Sequence, residues 1–155
     1  IVSCVGAFGY EFDLTSASDA CKKEIKNQIA FYKKYRTIMQ VGQLYYGDLL
    51  SDGENAVWTV VNDDKTVAVT TIAVKDYVLY AYPHRVYVEG LKSDGKYDVY
   101  EVGTPEYTEK YLFTTTGRNL RVAGFATRNM FSESDVQNDF NSIQARMFTI
   151  IKHNG

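Results

Sequence analysis

Two carboxylates stand close together near the start of the chain, at Glu11 and Asp13. On an extended backbone, residues two apart share one face at roughly 6.6 Å, near the ~6.5–9.5 Å that separates the two carboxyl groups of an inverting glycosidase. Barrel enzymes place catalytic groups at such positions, directly after a buried strand. Any two carboxylates with this spacing meet the criterion, however, and acidic residues before a helix commonly serve as caps. A solvated or capping role is therefore the first interpretation, and a catalytic pair is the alternative.

The two histidines, His84 and His153, do not indicate a metal site or a catalytic triad. Neither has a second His, Cys or carboxylate at the spacing of metal ligands, and the sequence has no nucleophile-elbow pattern. The glycines are scattered and not clustered before a helix, so no phosphate-binding loop is predicted. We therefore expect no metal and no cofactor, and we interpret both histidines as surface or strand-edge residues.

Aromatic residues are the one compositional excess, at 14% of the chain with 13 tyrosines. Six tyrosines fall in or beside predicted strands: Tyr77, Tyr80, Tyr82, Tyr87, Tyr97 and Tyr100. A tyrosine ring can stack on a sugar face while its hydroxyl bonds the sugar edge, so this row is a candidate carbohydrate-binding surface with Tyr80 and Tyr82 as the stacking residues. β-Propensity and half-buried packing are the simpler explanation. Trp58 lies in the middle of an apolar run and is expected in the core.

The front of the chain predicts one strand and one helix to carry these residues. Residues 1–8 are almost uncharged and rich in β-branched side chains, as in a strand buried on both faces of a parallel sheet or barrel. Ser18 is a good N-cap, apolar residues then recur every three to four positions, and Gly42 is a stop signal, so a helix is predicted over residues 19–40. This pair is typical of the last βα unit of an α/β array, and an ordinary α+β domain is the alternative. With no initiator Met at Ile1, the chain is expected to be cut from a longer one.

Beyond Gly42 the apolar period changes from 3.6 to 2. Strands are predicted over residues 44–50, 56–62, 66–74, 85–91, 96–102, 119–126 and 143–152. Polar turns at residues 62–65 and 93–96 predict hairpins, whereas residues 103–117 and 127–141 give no clear signal. The fold is therefore expected to be mostly β: an antiparallel β-sandwich of Greek-key type over residues 42–155, preceded by a strand–helix unit over residues 1–41.

Composition argues against several functional classes. The 155 residues suit about one domain, and the 17 basic and 19 acidic residues give a net charge of −2, so a nucleic-acid partner is not expected. The mean hydropathy is −0.28, and no apolar run approaches the ~20 residues of a spanning helix, so a membrane partner is not expected either. Cys4 and Cys21 are too few for a disulfide scaffold, and we expect reduced, buried thiols in a cytoplasmic protein.

The longest motifs are GYEFDL at residues 9–14, IKNQIAFYKKYR at 25–36, LYY at 44–46, AVWTVVNDDK at 56–65 and VYVEGL at 86–91. Together they resemble the C-terminal part of the family 36 glycoside hydrolases, the α-galactosidases. The similarity is good over residues 8–71, recovers over residues 86–97, and departs from the family pattern over residues 103–138.

The resemblance implies an enzyme with an N-terminal β-sandwich, a central (β/α)8 barrel and a C-terminal antiparallel sandwich. Residues 1–8 would be the eighth barrel strand and residues 19–40 the eighth helix. Family members are retaining enzymes that use two aspartates on earlier barrel strands, and no position here matches them. Glu11 and Asp13 match non-catalytic family positions, so no catalytic residue is expected. Phe8 and Gly9, at the end of the barrel strand, are the residues expected to line the substrate site.

The chain is thus expected to be a non-catalytic structural or accessory part of an enzyme acting on α-galactosides such as melibiose or raffinose. Its partner would be the barrel of its own chain, and carbohydrate would bind to the whole enzyme. A carbohydrate-binding module that uses the tyrosine face is one alternative, and an interaction or homo-oligomerisation domain is another. In this last hypothesis residues 1–8 add to an edge of the sandwich or pack against a second copy.

Overall fold

The structure is a computed structural model that describes residues 8–11, 13–47, 55–74, 85–126 and 144–154. The helices are α1 (Asp19–Val41) and α2 (Gly117–Val122). The strands are β1 (Gln43–Gly47), β2 (Asn55–Val61), β3 (Val67–Val74), β4 (Arg85–Val86), β5 (Lys96–Gly103), β6 (Thr108–Thr116), β7 (Phe125–Ala126) and β8 (Gln144–Lys152). The predicted strand over residues 1–8 lies outside the described residues except for Phe8. Also outside them are Cys4, Tyr77, Tyr80, Tyr82 and His84.

Helix α1 begins and ends where its sequence signals predict. The Ser18 hydroxyl accepts a 3.2 Å hydrogen bond from the Cys21 amide, which satisfies one of the free N–H groups of the first turn. At the other end the Gly42 amide donates to the Ile38 carbonyl at 2.8 Å. A Cβ at Gly42 would lie 2.5 Å from that same carbonyl oxygen, so a larger residue would disturb this end of the helix.

Six strands form one antiparallel sheet in the order β1-β2-β3-β8-β5-β6. The last strand, β8, is inserted between β3 and β5, so the end of the chain ties the two halves of the sheet together. The β2–β3 turn falls at the predicted hairpin, where the Asn62 side-chain oxygen accepts from the Thr66 and Val67 amides at 2.9 Å. Strands β4 and β7 form a separate two-stranded ribbon.

Both faces of the large sheet are covered. On one face, α1 contributes Phe31, Tyr35 and Met39 to an apolar cluster that also contains Val69, Val102 and Met147 of the sheet. On the other face, β4, β7 and α2 contribute Val86, Leu120 and Phe125 to a larger core with sheet residues that include Tyr97, Phe148 and Ile150. Neighbouring residues of one strand, such as Met147 and Phe148, therefore enter different clusters.

The expected mostly-β, antiparallel class is confirmed, and several local predictions are wrong. The predicted strand over residues 119–126 begins as helix α2, because the Thr116 hydroxyl caps that helix by accepting from the Asn119 amide at 3.2 Å. The predicted strand over residues 85–91 is limited to Arg85–Val86. Residues 103–117, which gave no clear signal, contain β6.

Two burial predictions are also wrong. Trp58 is half-buried and not a core residue, and the Cys21 thiol is free but only half-buried. Within the described residues, no helix is both long enough and apolar enough to cross a membrane.

Candidate functional site

The segment that leads into α1 runs back along the helix surface. Three contacts occur in reverse order along the helix: the Phe8 ring meets Tyr32, the Tyr10 hydroxyl donates to Gln28, and the Lys22 ammonium donates to the Thr15 carbonyl. The Phe8 and Tyr32 ring centroids are 5.0 Å apart, and the Phe8 ring also meets Tyr10 edge-on at 5.2 Å. Phe8 is half-buried in this way, while Gly9 is exposed. The role of these two residues at a substrate site stays a prediction.

Glu11 and Asp13 are both exposed. The Asp13 carboxylate accepts from the Thr15 hydroxyl at 2.6 Å and from the Thr15 amide at 2.8 Å, and so caps the short 3-10 turn Leu14–Ser16. These two hydrogen bonds hold the pKa of Asp13 below its usual range. An ionised, exposed cap does not have the raised pKa that a general acid needs near neutral pH. Its geometry is that of a cap.

Glu109 on β6 is a largely enclosed charged group, with 18% of its side chain exposed. One carboxylate oxygen accepts from the Thr149 hydroxyl of β8 at 2.6 Å and from the Tyr35 hydroxyl of α1. The other oxygen accepts from the Lys34 ammonium. This Glu109 cluster (Glu109, Lys34, Tyr35 and Thr149) therefore connects the helix to two strands of the sheet.

The electrostatics of the Glu109 cluster keep the carboxylate ionised. Burial acts to raise the pKa of Glu109, but the hydrogen bonds from Lys34, Thr149 and Tyr35 outweigh it and leave the pKa lowered. Burial and the bond to this carboxylate raise the pKa of Tyr35 to about 12, so its phenol stays a donor. The Lys34 ammonium also lies 4.9 Å from the centre of the Tyr35 ring, a favourable cation–π distance.

A second hydrogen-bonded group lies on the exposed surface of β5 and β6. The Asp98 carboxylate accepts from the Thr114 hydroxyl and contacts His153 Nδ1 at 2.9 Å. The bond from Thr114, followed by that with His153, lowers the pKa of Asp98. The hydroxyl bonds to the carboxylate and not to the imidazole, so the group lacks the hydroxyl–imidazole contact of an activated nucleophile. His153 is exposed, as its interpretation as a surface residue requires.

The tyrosine row does not form one surface where it is described. Tyr97 is fully buried in the core, so its ring cannot stack on a sugar. Tyr100 meets Tyr111 edge-on at 5.8 Å, away from that core, and Tyr87 is exposed. The proposed stacking residues Tyr80 and Tyr82 lie outside the described residues, and their role stays a prediction. Among the described residues, no group of three or more His, Cys, Asp or Glu side chains is placed to hold a metal ion.

Comparison with protein-family models identifies the family of this chain. The family model for the "Glycosyl hydrolase family 36 C-terminal domain" matches residues 55–149, and the model for "Melibiase" matches residues 1–42. The chain belongs to glycosyl hydrolase family 36. The resemblance carried by the sequence motifs is thereby confirmed.

Individual relatives of this family 36 chain are α-galactosidases of bacteria. It is 41% identical over 69 residues to AgaA of Geobacillus stearothermophilus, covering 43% of this chain and 9% of that protein. It is 33% identical over 98 residues to Mel36A of Lactobacillus acidophilus, covering 62% of this chain and 13% of that protein. The chain thus spans a small part of the length of these relatives.

Solved structures agree with the fold. The crystal structure of the α-galactosidase from Lactobacillus brevis superimposes with a TM-score of 0.83 at 26% identity, over 99% of this chain and 19% of that one. The AgaA variant A355E D548N, solved in complex with raffinose, superimposes with a TM-score of 0.77 at 28% identity, over 98% of this chain and 18% of that one. The family 36 fold therefore extends over almost all of the chain.

Sequence analysis of this family 36 chain did not find the Glu109 cluster. Glu109 lies in the region without a clear pattern, and its partners Lys34 and Tyr35 are 75 and 74 positions away. One signal was available: Glu109 is an acidic residue with an aromatic residue two positions away on each side, Tyr107 and Tyr111. That pattern does not identify a partner.

Proposed function

We propose that this chain is the non-catalytic C-terminal part of a longer α-galactosidase that hydrolyses α-galactosides of the raffinose type. Residues 1–41 supply the last strand–helix unit of the catalytic barrel, and residues 42–155 form an accessory domain that supports it. The observation that carries the proposal is the order of the two family matches, melibiase over residues 1–42 and the C-terminal domain over residues 55–149. The relatives named α-galactosidase support it through their similarity to both parts.

The chemistry of the described residues supports a scaffolding role. Glu11 and Asp13 are exposed, and the enclosed carboxylate of Glu109 is fully occupied by donors of the protein itself. A retaining glycosidase needs two carboxyl groups about 5–5.5 Å apart that face the substrate. Such a pair would come from the rest of the enzyme. Within the same proposal, the partner of the chain is its own barrel, and the enzyme acts in the cytoplasm.

A chimera tests this proposal directly. The residues of the Lactobacillus brevis α-galactosidase that superimpose on this chain are replaced by it, and hydrolysis of an aryl α-galactoside and of raffinose is measured. We expect the chimera to hydrolyse both, and the host truncated before the replaced segment to be inactive. A chimera that folds but does not hydrolyse either substrate would contradict the proposal.

The isolated chain provides the complementary test. We expect no hydrolysis of an aryl α-galactoside and no binding of galactose or raffinose at millimolar concentrations in calorimetry. Hydrolysis that disappears in Glu11→Gln or Asp13→Asn would refute the non-catalytic assignment. Millimolar binding without hydrolysis would instead favour the carbohydrate-binding module, and sedimentation of the same sample measures self-association.

A further inference from the structure

Helix α1 is attached to the sheet mainly through its second half. The helix has 23 residues, and its residues in the cluster shared with the sheet are Phe31, Tyr35 and Met39, with Tyr32 and Ile38 at the margin. The first half instead lines an open groove of about 280 Å³ together with Leu14, and the lining residues of the helix are Lys22, Ile25, Lys26 and Ile29. The orientation of the first half therefore depends on how firmly the second half is held.

The β5–β6 hairpin holds the second half of α1 with two side chains, Tyr107 and Glu109. The Tyr107 ring lies 5.9 Å from the Phe31 ring, and the Glu109 carboxylate accepts from Lys34 and Tyr35 one helical turn further on. Tyr107 adopts a φ of 56°, a left-handed conformation that is unfavourable for a bulky residue. Such strain persists where surrounding contacts determine the conformation.

Apolar contacts dominate the interface, but they do not fix the rotation of a helix well. Close packing of these side chains restricts the rotation, but the hydrophobic effect is itself non-directional. A carboxylate that accepts from two adjacent helix residues and from one strand hydroxyl is directional, and charge-assisted hydrogen bonds are short and strong. The Glu109 cluster is thus the directional part of the interface between α1 and the sheet.

The rotation of α1 determines where Phe8 lies. Phe8 packs on Tyr32, which is adjacent to Phe31 and three residues before Tyr35. The Phe31 and Tyr35 rings are themselves 5.0 Å apart. A helix rotation that broke the bond from Tyr35 to Glu109 would also move Tyr32, a helix ring on which Phe8 packs.

We infer that Glu109 is a positioning residue: its contact with Lys34 and Tyr35 sets the rotation of α1 and thereby fixes the segment at Phe8 and Gly9. The accessory sheet would in this way hold the edge of the substrate site without touching the substrate. The importance of the segment for a substrate rests on the proposed function. The mechanical link itself rests only on contacts within this chain.

NMR relaxation of the isolated chain tests the link without any measurement of activity. Backbone order parameters of Phe8 and Gly9 are compared in the wild type, in Glu109→Gln and in the control Glu101→Gln. Glu101 pairs with Arg146 at 3.1 Å, an ion pair between two strands of the sheet. We expect the order parameters of Phe8 and Gly9 to fall from about 0.85 to below about 0.6 in Glu109→Gln. Those of β3 should stay unchanged in both variants.

The inference is wrong if Phe8 and Gly9 keep their order parameters in Glu109→Gln, or lose them equally in Glu101→Gln. Should Glu109→Gln fail to fold, Thr149→Val removes one donor to the same carboxylate and is judged by the same criterion. In the chimeric enzyme, Glu109→Gln should raise KM or lower kcat severalfold, whereas Glu101→Gln should change neither. An inactive chimera with a measurable loss of order would refute the proposed function and leave the link intact.

Discussion

Two adjacent threonines of β3 should respond in opposite directions to the same substitution. Thr70 and Thr71 are both 0% exposed, and neighbouring residues of a strand point to opposite faces. The Thr70 hydroxyl lies 2.9 Å from the Thr59 hydroxyl of β2, which is 2% exposed. The Thr71 hydroxyl has no hydrogen-bond partner in the part of the chain that the structure describes. We therefore expect Thr71→Val to stabilise the protein and Thr70→Val to destabilise it.

The magnitudes follow from the fate of each hydroxyl. Burying a hydroxyl without a hydrogen bond costs about 1–3 kcal/mol in protein mutational data. Valine has nearly the shape of threonine and a high β-propensity, so Thr71→Val should recover about 1 kcal/mol of this cost. In Thr70→Val the Thr59 hydroxyl loses its partner while it remains buried, which should lower the free energy of unfolding by about 1–3 kcal/mol.

Urea unfolding followed by circular dichroism measures both effects. Since neither substitution changes the surface exposed on unfolding, the slope of free energy against urea should stay constant while the midpoints move apart. In thermal unfolding, each 1 kcal/mol should shift the Tm by roughly 2–4 °C for a chain of this size. A Thr71→Val protein that loses 1 kcal/mol or more would refute the reasoning, because the hydroxyl would then have a partner.

Three further predictions concern Tyr97 in the core, Glu109 in its cluster and Gly117 at the start of α2. The buried Tyr97 hydroxyl donates to a backbone carbonyl of one turn at 2.8 Å and accepts from a backbone amide of another at 3.1 Å. Tyr97→Phe should therefore lower the free energy of unfolding in urea by about 1–2 kcal/mol. Tyr111→Phe, at an exposed position, should lower it by less than about 0.5 kcal/mol. The pKa of Glu109 is lowered in the folded state, so Glu109 contributes stability above its usual pKa of 4.5 and loses this contribution as the pH falls through its folded-state pKa. The difference in unfolding free energy between wild type and Glu109→Gln should therefore shrink when the pH is lowered below 4.5. Gly117→Ala would place a Cβ 2.2 Å from a backbone carbonyl oxygen, whereas a Cβ at Gly103 would lie 3.7 Å from its nearest neighbouring atom. Gly117→Ala should therefore lower the Tm by several degrees, and Gly103→Ala should change it little.

Local signals explain what could be predicted from the sequence. Helix α1 has its cap at Ser18, its stop at Gly42 and its apolar period within one continuous segment, so no distant contact is needed to define it. The β2–β3 hairpin is similar, because Asn62 bonds the amides of its own turn. Both elements also lie in the part of the chain where the resemblance to family 36 is good.

Tertiary contacts explain what could not be predicted. Residues 119–122 have the apolar spacing of a short strand, but Thr116 caps a helix there, and the absence of a side chain at Gly117 lets this turn approach the carbonyl of Lys92. Strand β6 consists mostly of polar and aromatic residues without strict alternation of exposure. One reason is that Glu109, within the strand, is covered by α1 and not by β4, β7 and α2. Such coverage comes from a helix far away in the sequence and leaves no local pattern.

The choice of glutamate at position 109 has its own physical reason. The carboxylate must accept from two hydroxyls that are themselves withdrawn from water, Tyr35 and Thr149, and an anion can accept several such bonds because it carries no donor of its own. A glutamine would place its NH2 group opposite the Lys34 ammonium, so that two donors would face each other without an acceptor. The anion is tolerated in this enclosed place because Lys34, with 55% of its side chain exposed, neutralises it while keeping its own contact with water. Only a carboxylate at this position can therefore satisfy all three donors, and for this reason the loss of one charge at Glu109 should loosen the helix while a matched loss at Glu101 should not.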